Sequence, residues 1–126
     1  MPALFSLVAS GSGAMTTERW IALGTIPLGQ RIWIGNAAYS AVSKAITFEL
    51  RTNLTGQVAG TTAATKLLDA GACGSGKSLT RDLYKNGALH VTTVYGTATG
   101  EKWWLRLTSK STTSSNYTYK ISYALE

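Results

Sequence analysis

The stretch GACGSGKS at residues 71–78 satisfies G-x-x-x-x-G-K-[ST], the spacing with which a glycine-rich turn cradles phosphate. In that chemistry a buried strand delivers the turn to a helix N-terminus. Backbone N–H groups and the helix dipole hold the phosphates, the lysine reaches the terminal phosphate, and the hydroxyl ligates Mg²⁺. The flanks do not supply that setting. ATKLLDA, before the motif, has two adjacent large apolar residues where a buried parallel strand needs a longer run. LTRDLYKNG, after it, reaches an Asn-Gly turn signal too soon for a helix and fits a hairpin arm. Of the acids Glu18, Glu49, Asp69, Asp82, Glu101 and Glu126, none beyond the motif follows an apolar strand, so no second Mg²⁺-binding motif stands out. The segment therefore reads as a connector, with Gly71, Gly74 and Gly76 supplying unusual dihedrals and Lys77 as a solvated or interface charge. Nucleotide binding at 71–78 ranks third among the functions considered.

Other catalytic chemistry has less to build on. His90 is the single histidine and Cys73 the single cysteine, so neither a disulfide nor a cysteine-histidine metal cluster is expected. No G-x-S-x-G elbow accompanies the abundant serines. The expectation is a protein that is not an enzyme and that needs no cofactor or metal. The tryptophans are more informative. Trp20, Trp33, Trp103 and Trp104 are many for a short chain, and neighbours on one strand point to opposite faces. If Trp103 joins Leu105 and Leu107 in a core, Trp104 lies outside beside Arg106. An outward Trp next to Arg suits a glycan platform or a protein-interface anchor, unless another part of the domain covers it.

The elements that would position these residues are strands. The chain has 126 residues, one domain's worth, with 44% hydrophobic but only 14% charged residues. Its surface must be built from Ser, Thr, Asn and Gly. In KAITFELRT, Ile46, Phe48 and Leu50 alternate with Thr47, Glu49 and Arg51. In NYTYKISYAL, Tyr117, Tyr119, Ile121, Tyr123 and Leu125 share one face. Pro27-Leu28-Gly29 separates two further apolar stretches, and Asn86-Gly87 predicts a hairpin between residues 78–84 and 88–96. ALFSLVA reads as a short apolar strand or arm that SGSG at 10–13 breaks. With no Lys or Arg in front and an apolar run of about seven residues, it does not read as a signal peptide. No stretch approaches the ~20 apolar residues of a membrane span. These patterns predict an all-β, antiparallel, jelly-roll-like β-sandwich of eight or nine short strands. Its domains are an N-terminal arm, 1–14, and a single sandwich, 15–126.

The net charge of +6 is spread over twelve scattered basic residues, which argues for a cationic surface more than for a nucleic-acid site. Asn53-Leu54-Thr55 and Asn116-Tyr117-Thr118 match a glycosylation acceptor by chance in so Thr-rich a chain.

Two segments carry a resemblance. TTERWIALGTIPLGQRIWIG and EKWWLRLTSKSTTSSNYTYKISYALE, the latter pairing an aromatic strand with a Ser/Thr loop and a Tyr-alternating closing strand, resemble bacteriophage virion proteins. The comparison is with capsid decoration proteins and the β-sandwich modules of tail or head fibres. It is a resemblance of style over most of the chain. It implies a homo-oligomer, often a trimer, located in the virion and bound to other virion proteins or to a host glycan, with no membrane. The leading expectation is a non-enzymatic virion structural protein assembling through Leu4, Phe5, Leu7 and Val8 of the arm, docked on a sibling subunit, and through Trp104 and Arg106. A carbohydrate-binding module or lectin-like domain is the alternative.

Overall fold

The period-two patterns become strands throughout. The computed structural model describes residues 5–27, 30–52, 65–82, 90–92 and 101–125. Among them every regular element is extended: β1 (Leu7–Met15), β2 (Glu18–Ile26), β3 (Arg31–Ala41), β4 (Ile46–Thr52), β5 (Thr65–Cys73), β6 (Lys77–Asp82), β7 (His90–Thr92), β8 (Glu101–Thr108) and β9 (Ser115–Leu125). One sheet has the order β1-β9-β3-β6, with short β7 also on β3, and the second has the order β2-β8-β4-β5. All pairings are antiparallel. Leaving out β7, the first strand pairs with the last in one sheet and the second with the last but one in the other. That nesting is the double Greek key of a jelly roll. The chain is therefore an antiparallel β-sandwich of jelly-roll order.

Inward residues of both sheets make one core. Ile46, Phe48 and Leu50 of β4 are buried, as are Trp103, Leu105 and Leu107 of β8 and Tyr117 and Ile121 of β9. Across the sandwich Tyr39 of β3 stacks on Phe48 with ring centroids 4.4 Å apart. Trp103 meets Tyr123 edge-on at 4.9 Å. β3 changes phase midway. Ile34 lies opposite Tyr123 and Ala37 opposite Ile121, so Gly35 and Asn36 share the single partner Ser122. This bulge is closed by the Ser122 hydroxyl, which accepts from Asn36 N–H at 3.0 Å and donates to Asn36 Oδ1 at 2.6 Å. Ile32 and Ile34 thus point inward before it, and Ala37, Tyr39 and Ala41 after it.

Three local expectations are corrected. SGSG does not break the first strand: β1 runs unbroken opposite β9, with Gly11 facing Tyr119 and Gly13 facing Tyr117. The tyrosine rings lie over these glycines. A Cβ would come within 2.6 Å of the Tyr119 hydroxyl at Gly11 and within 2.7 Å of the Tyr117 hydroxyl at Gly13. The cross-strand rings supply the side-chain mass that β1 lacks. Residues 7–14, read as part of an arm, therefore lie in the sandwich as its edge strand. Among the described residues, the two strands that flank Asn86-Gly87 are paired with β3 and not with each other. β6 pairs with Asn36–Ala41 of β3 and β7 with Arg31–Trp33, so the two follow one another along the same edge of β3. The Asn-Gly turn itself lies outside the described residues.

Candidate functional site

The phosphate-motif segment runs strand, turn, strand. Its first three residues end β5, its last two begin β6, and the turn carries the chain from one sheet to the other. The turn closes with Lys77 N–H donating to the Gly74 carbonyl at 3.0 Å. Gly76 takes a positive φ, 68°, while Gly74 does not. The Cys73 thiol donates to the Lys77 carbonyl at 3.1 Å, and the Ser75 hydroxyl to the Ser43 carbonyl at 2.8 Å. No helix follows to gather N–H groups on one anion. The phosphate-cradling geometry is not built, which removes the observation behind the nucleotide reading.

The outer face of the second sheet carries a mixed aromatic and charged cluster. Strand register sets Trp20 of β2 and Glu49 of β4 on either side of Arg106, and Ala22 and Arg51 on either side of Trp104. The Arg106 guanidinium donates to Glu18 Oε2 from Nε at 3.0 Å and from Nη2 at 2.7 Å. Its Nη1 lies 3.7 Å from Glu49 Oε1, and the group sits 5.5 Å from the Trp20 ring centroid. Arg51 Nη2 donates to Glu49 Oε2 at 2.5 Å. Two carboxylates and two guanidiniums thus neutralise one another across three strands. Because Arg106 is already engaged by two carboxylates and a ring, this face offers little uncompensated charge to an incoming anion. Trp103 is buried and Trp104 faces outward beside Arg106, the alternation expected from the sequence. Trp104 is nonetheless half-buried, with its indole Nε1 enclosed and without a hydrogen-bond partner.

The expected N-terminal contact residues divide three ways. Leu4 lies outside the described residues. Phe5 is half-buried against its own chain: a Cβ at Gly35 would lie 2.7 Å from its Cγ. Leu7 and Val8 are exposed, at 41% and 50%. They begin β1, which among the described residues is an edge strand with no strand on its outer flank. The outer face beside β1 is paved with small residues. A shallow depression of about 430 Å³ has Ser10, Ser12, Ala38, Ser40, Thr118 and Lys120 among its lining residues. Among the described residues no group of three His, Cys, Asp or Glu side chains is placed to hold a metal ion. His90 lies in β7 opposite Trp33.

The Glu18 contact was not legible in the sequence, because Glu18 and Arg106 are 88 residues apart in the chain. The signal was present only as opposite charges on two strands whose register was unknown.

No protein-family model matches the chain, and no curated protein matches its sequence. Solved structures share its architecture. A chain from the structure of the infectious bursal disease virus Gx strain superposes with a TM-score of 0.55 at 9% identity, over 94% of this chain and 32% of that one. The Gt strain gives 0.55 at 10% identity, over 94% and 31%. This chain thus spans about a third of the length of those viral chains. A Yersinia pseudotuberculosis-derived mitogen is more distant, with a TM-score of 0.47 at 15% identity over 92% of this chain and 85% of that one.

Proposed function

We propose that this chain is a non-enzymatic structural component of a virus particle, a jelly roll whose copies associate through exposed apolar surface. The observation that carries the reading is the exposure of Leu7 and Val8, at 41% and 50%, at the start of an edge strand. Removing such side chains from water on association is favourable by roughly 25 cal/mol per Å². The jelly-roll order, shared with chains of the infectious bursal disease virus structures, supports the same reading. Within it, the sequence resemblance favours a bacteriophage capsid-decoration or tail-fibre role, located in the virion beside other virion proteins. The test is the double variant Leu7→Ser, Val8→Ser. Val8 lies on the outer face and Leu7 at the exposed rim of the inner face, neither of them in the buried core, so circular dichroism should stay close to wild type and the thermal midpoint should fall only slightly. Self-association should weaken by about tenfold or more, since each lost apolar contact is worth about 1.5–3 kcal/mol when fully buried. Unchanged association would contradict the assignment.

Carbohydrate binding is the second reading. It rests on Trp20 and Trp104, which lie diagonally across β2 and β8 on one outer face. A glycan-array signal lost in Trp104→Ala and retained in Leu7→Ser, Val8→Ser would favour it.

A further inference from the structure

The backbone of β1 shows which of its groups lack a partner. On β9, the Asn116 carbonyl accepts from Val42 N–H at 3.0 Å, so it points toward β3 and away from β1. Ala14 lies opposite Asn116, and its carbonyl accepts from Arg19 Nη1 at 3.2 Å. Ala14 is therefore a residue whose main-chain groups face away from β9. Antiparallel ladders alternate, so Val8, Ser10 and Ser12 face the same way. Among the described residues no strand pairs with their N–H and C=O groups, which form the edge, and Arg19 closes the row at Ala14.

That edge lacks the devices that keep other edges single. β2 carries Glu18 and Arg19 and a register shift at Ala22/Gly24. The β4–β5 pairing shifts register twice, and β5 holds Lys66 and Asp69. β6 holds Lys77, Arg81 and Asp82. β1, LVASGSGAM, has nine residues, no charge, no proline and an unbroken register with β9. In a chain of net charge +6, a long neutral straight edge is the place where a further strand can pair without repulsion.

From this edge we infer that β1 pairs with β1 of a second copy, antiparallel, about a two-fold axis through Ser10, joining the two β1-β9-β3-β6 sheets into one. The inference rests on the self-association proposed above and names its geometry. Self-complementarity argues for a second copy as the occupant. In that register Val8 falls opposite Ser12 of the second copy on the outer face. On the inner face Leu7 falls opposite Gly13, and Ala9 opposite Gly11. Each large residue meets a small one, and Leu7 gains the Tyr117 ring that covers Gly13. An isologous contact of this kind closes on itself, so it makes a dimer rather than a fibre.

Ser10→Pro tests the pairing. The Ser10 N–H faces outward, so proline removes an edge donor and keeps the ladder to β9. Ser10→Lys is the second variant, keeping the N–H but setting two charges face to face across the axis. Both should retain the wild-type circular dichroism spectrum and associate about tenfold or more weakly. In wild type, the amides of Val8, Ser10 and Ser12 should gain hydrogen-exchange protection as concentration rises. If the wild type associates while Ser10→Pro and Ser10→Lys associate equally well, the edge pairing is overturned and the assembly reading stands. If the wild type is monomeric at every concentration, both are overturned.

Discussion

Replacing Trp103 with Ala should lower the stability of the folded chain by about 3–5 kcal/mol, while Trp104→Ala, one residue along, should cost about 1–2 kcal/mol. The asymmetry follows from strand geometry. Adjacent side chains on β8 project to opposite faces. Trp103 is 1% exposed in the core, edge-on to Tyr123 at 4.9 Å. It occupies space that β2 provides at the Ala22/Gly24 register shift, where a Cβ on Gly24 would come within 3.2 Å of its indole nitrogen. Truncation leaves a cavity bounded by both sheets, which cannot close without moving β2 and β9. Trp104 is half-buried on the outer face, so its removal forfeits less contact and leaves no enclosed void. Chemical denaturation of both variants measures the difference. Equal losses would contradict the assignment of faces.

The second large effect is alkaline unfolding driven by Tyr39. Its side chain is 1% exposed, its hydroxyl has no hydrogen-bond partner, and its ring is stacked on Phe48. Burial disfavours the phenolate and pushes its pKa well above the ordinary tyrosine value of 10.0. The folded state therefore holds its proton at a pH where the unfolded chain has released it. Stability from this group is complete below pH 10 and declines as pH rises from there toward the folded pKa. The expected slope is about 1.4 kcal/mol per pH unit above 10. Tyr39→Phe should remove that share of the slope. It should also stabilise the protein by about 1 kcal/mol at neutral pH, because a buried donor without a partner is lost. Denaturation midpoints from pH 8 to 12 for wild type and variant give the comparison. Parallel curves would show that Tyr39 is not the group responsible.

The sequence displayed some of this architecture openly. β4, β8 and β9 each bury one face and wet the other, so Ile46-Phe48-Leu50, Trp103-Leu105-Leu107 and Tyr117-Ile121 wrote their direction into alternation. The first strand was hidden for the opposite reason. Two of its inward positions are Gly11 and Gly13, and the mass that fills them belongs to Tyr119 and Tyr117 of β9. A single-strand pattern cannot show apolar surface contributed by a neighbour. The bulge at Gly35-Asn36 shifted the phase of β3, an event closed by Ser122, a residue 86 positions away. The same distance problem concealed the site. Trp104 and Arg106 were legible as outward neighbours, but the neutralisation of Arg106 by Glu18 and Glu49 depends on the β2-β8-β4 register. GACGSGKS fits the phosphate motif in composition; its flanks already argued for a connector, and its exit into β6 makes that connector an inter-sheet turn.

The account turns on self-association of the intact chain. Light scattering coupled to gel filtration, across a hundredfold range of concentration, measures it most directly. The predicted result is a mass that rises with concentration to a whole multiple of 13.4 kDa. A constant mass of 13.4 kDa over the whole range would contradict it.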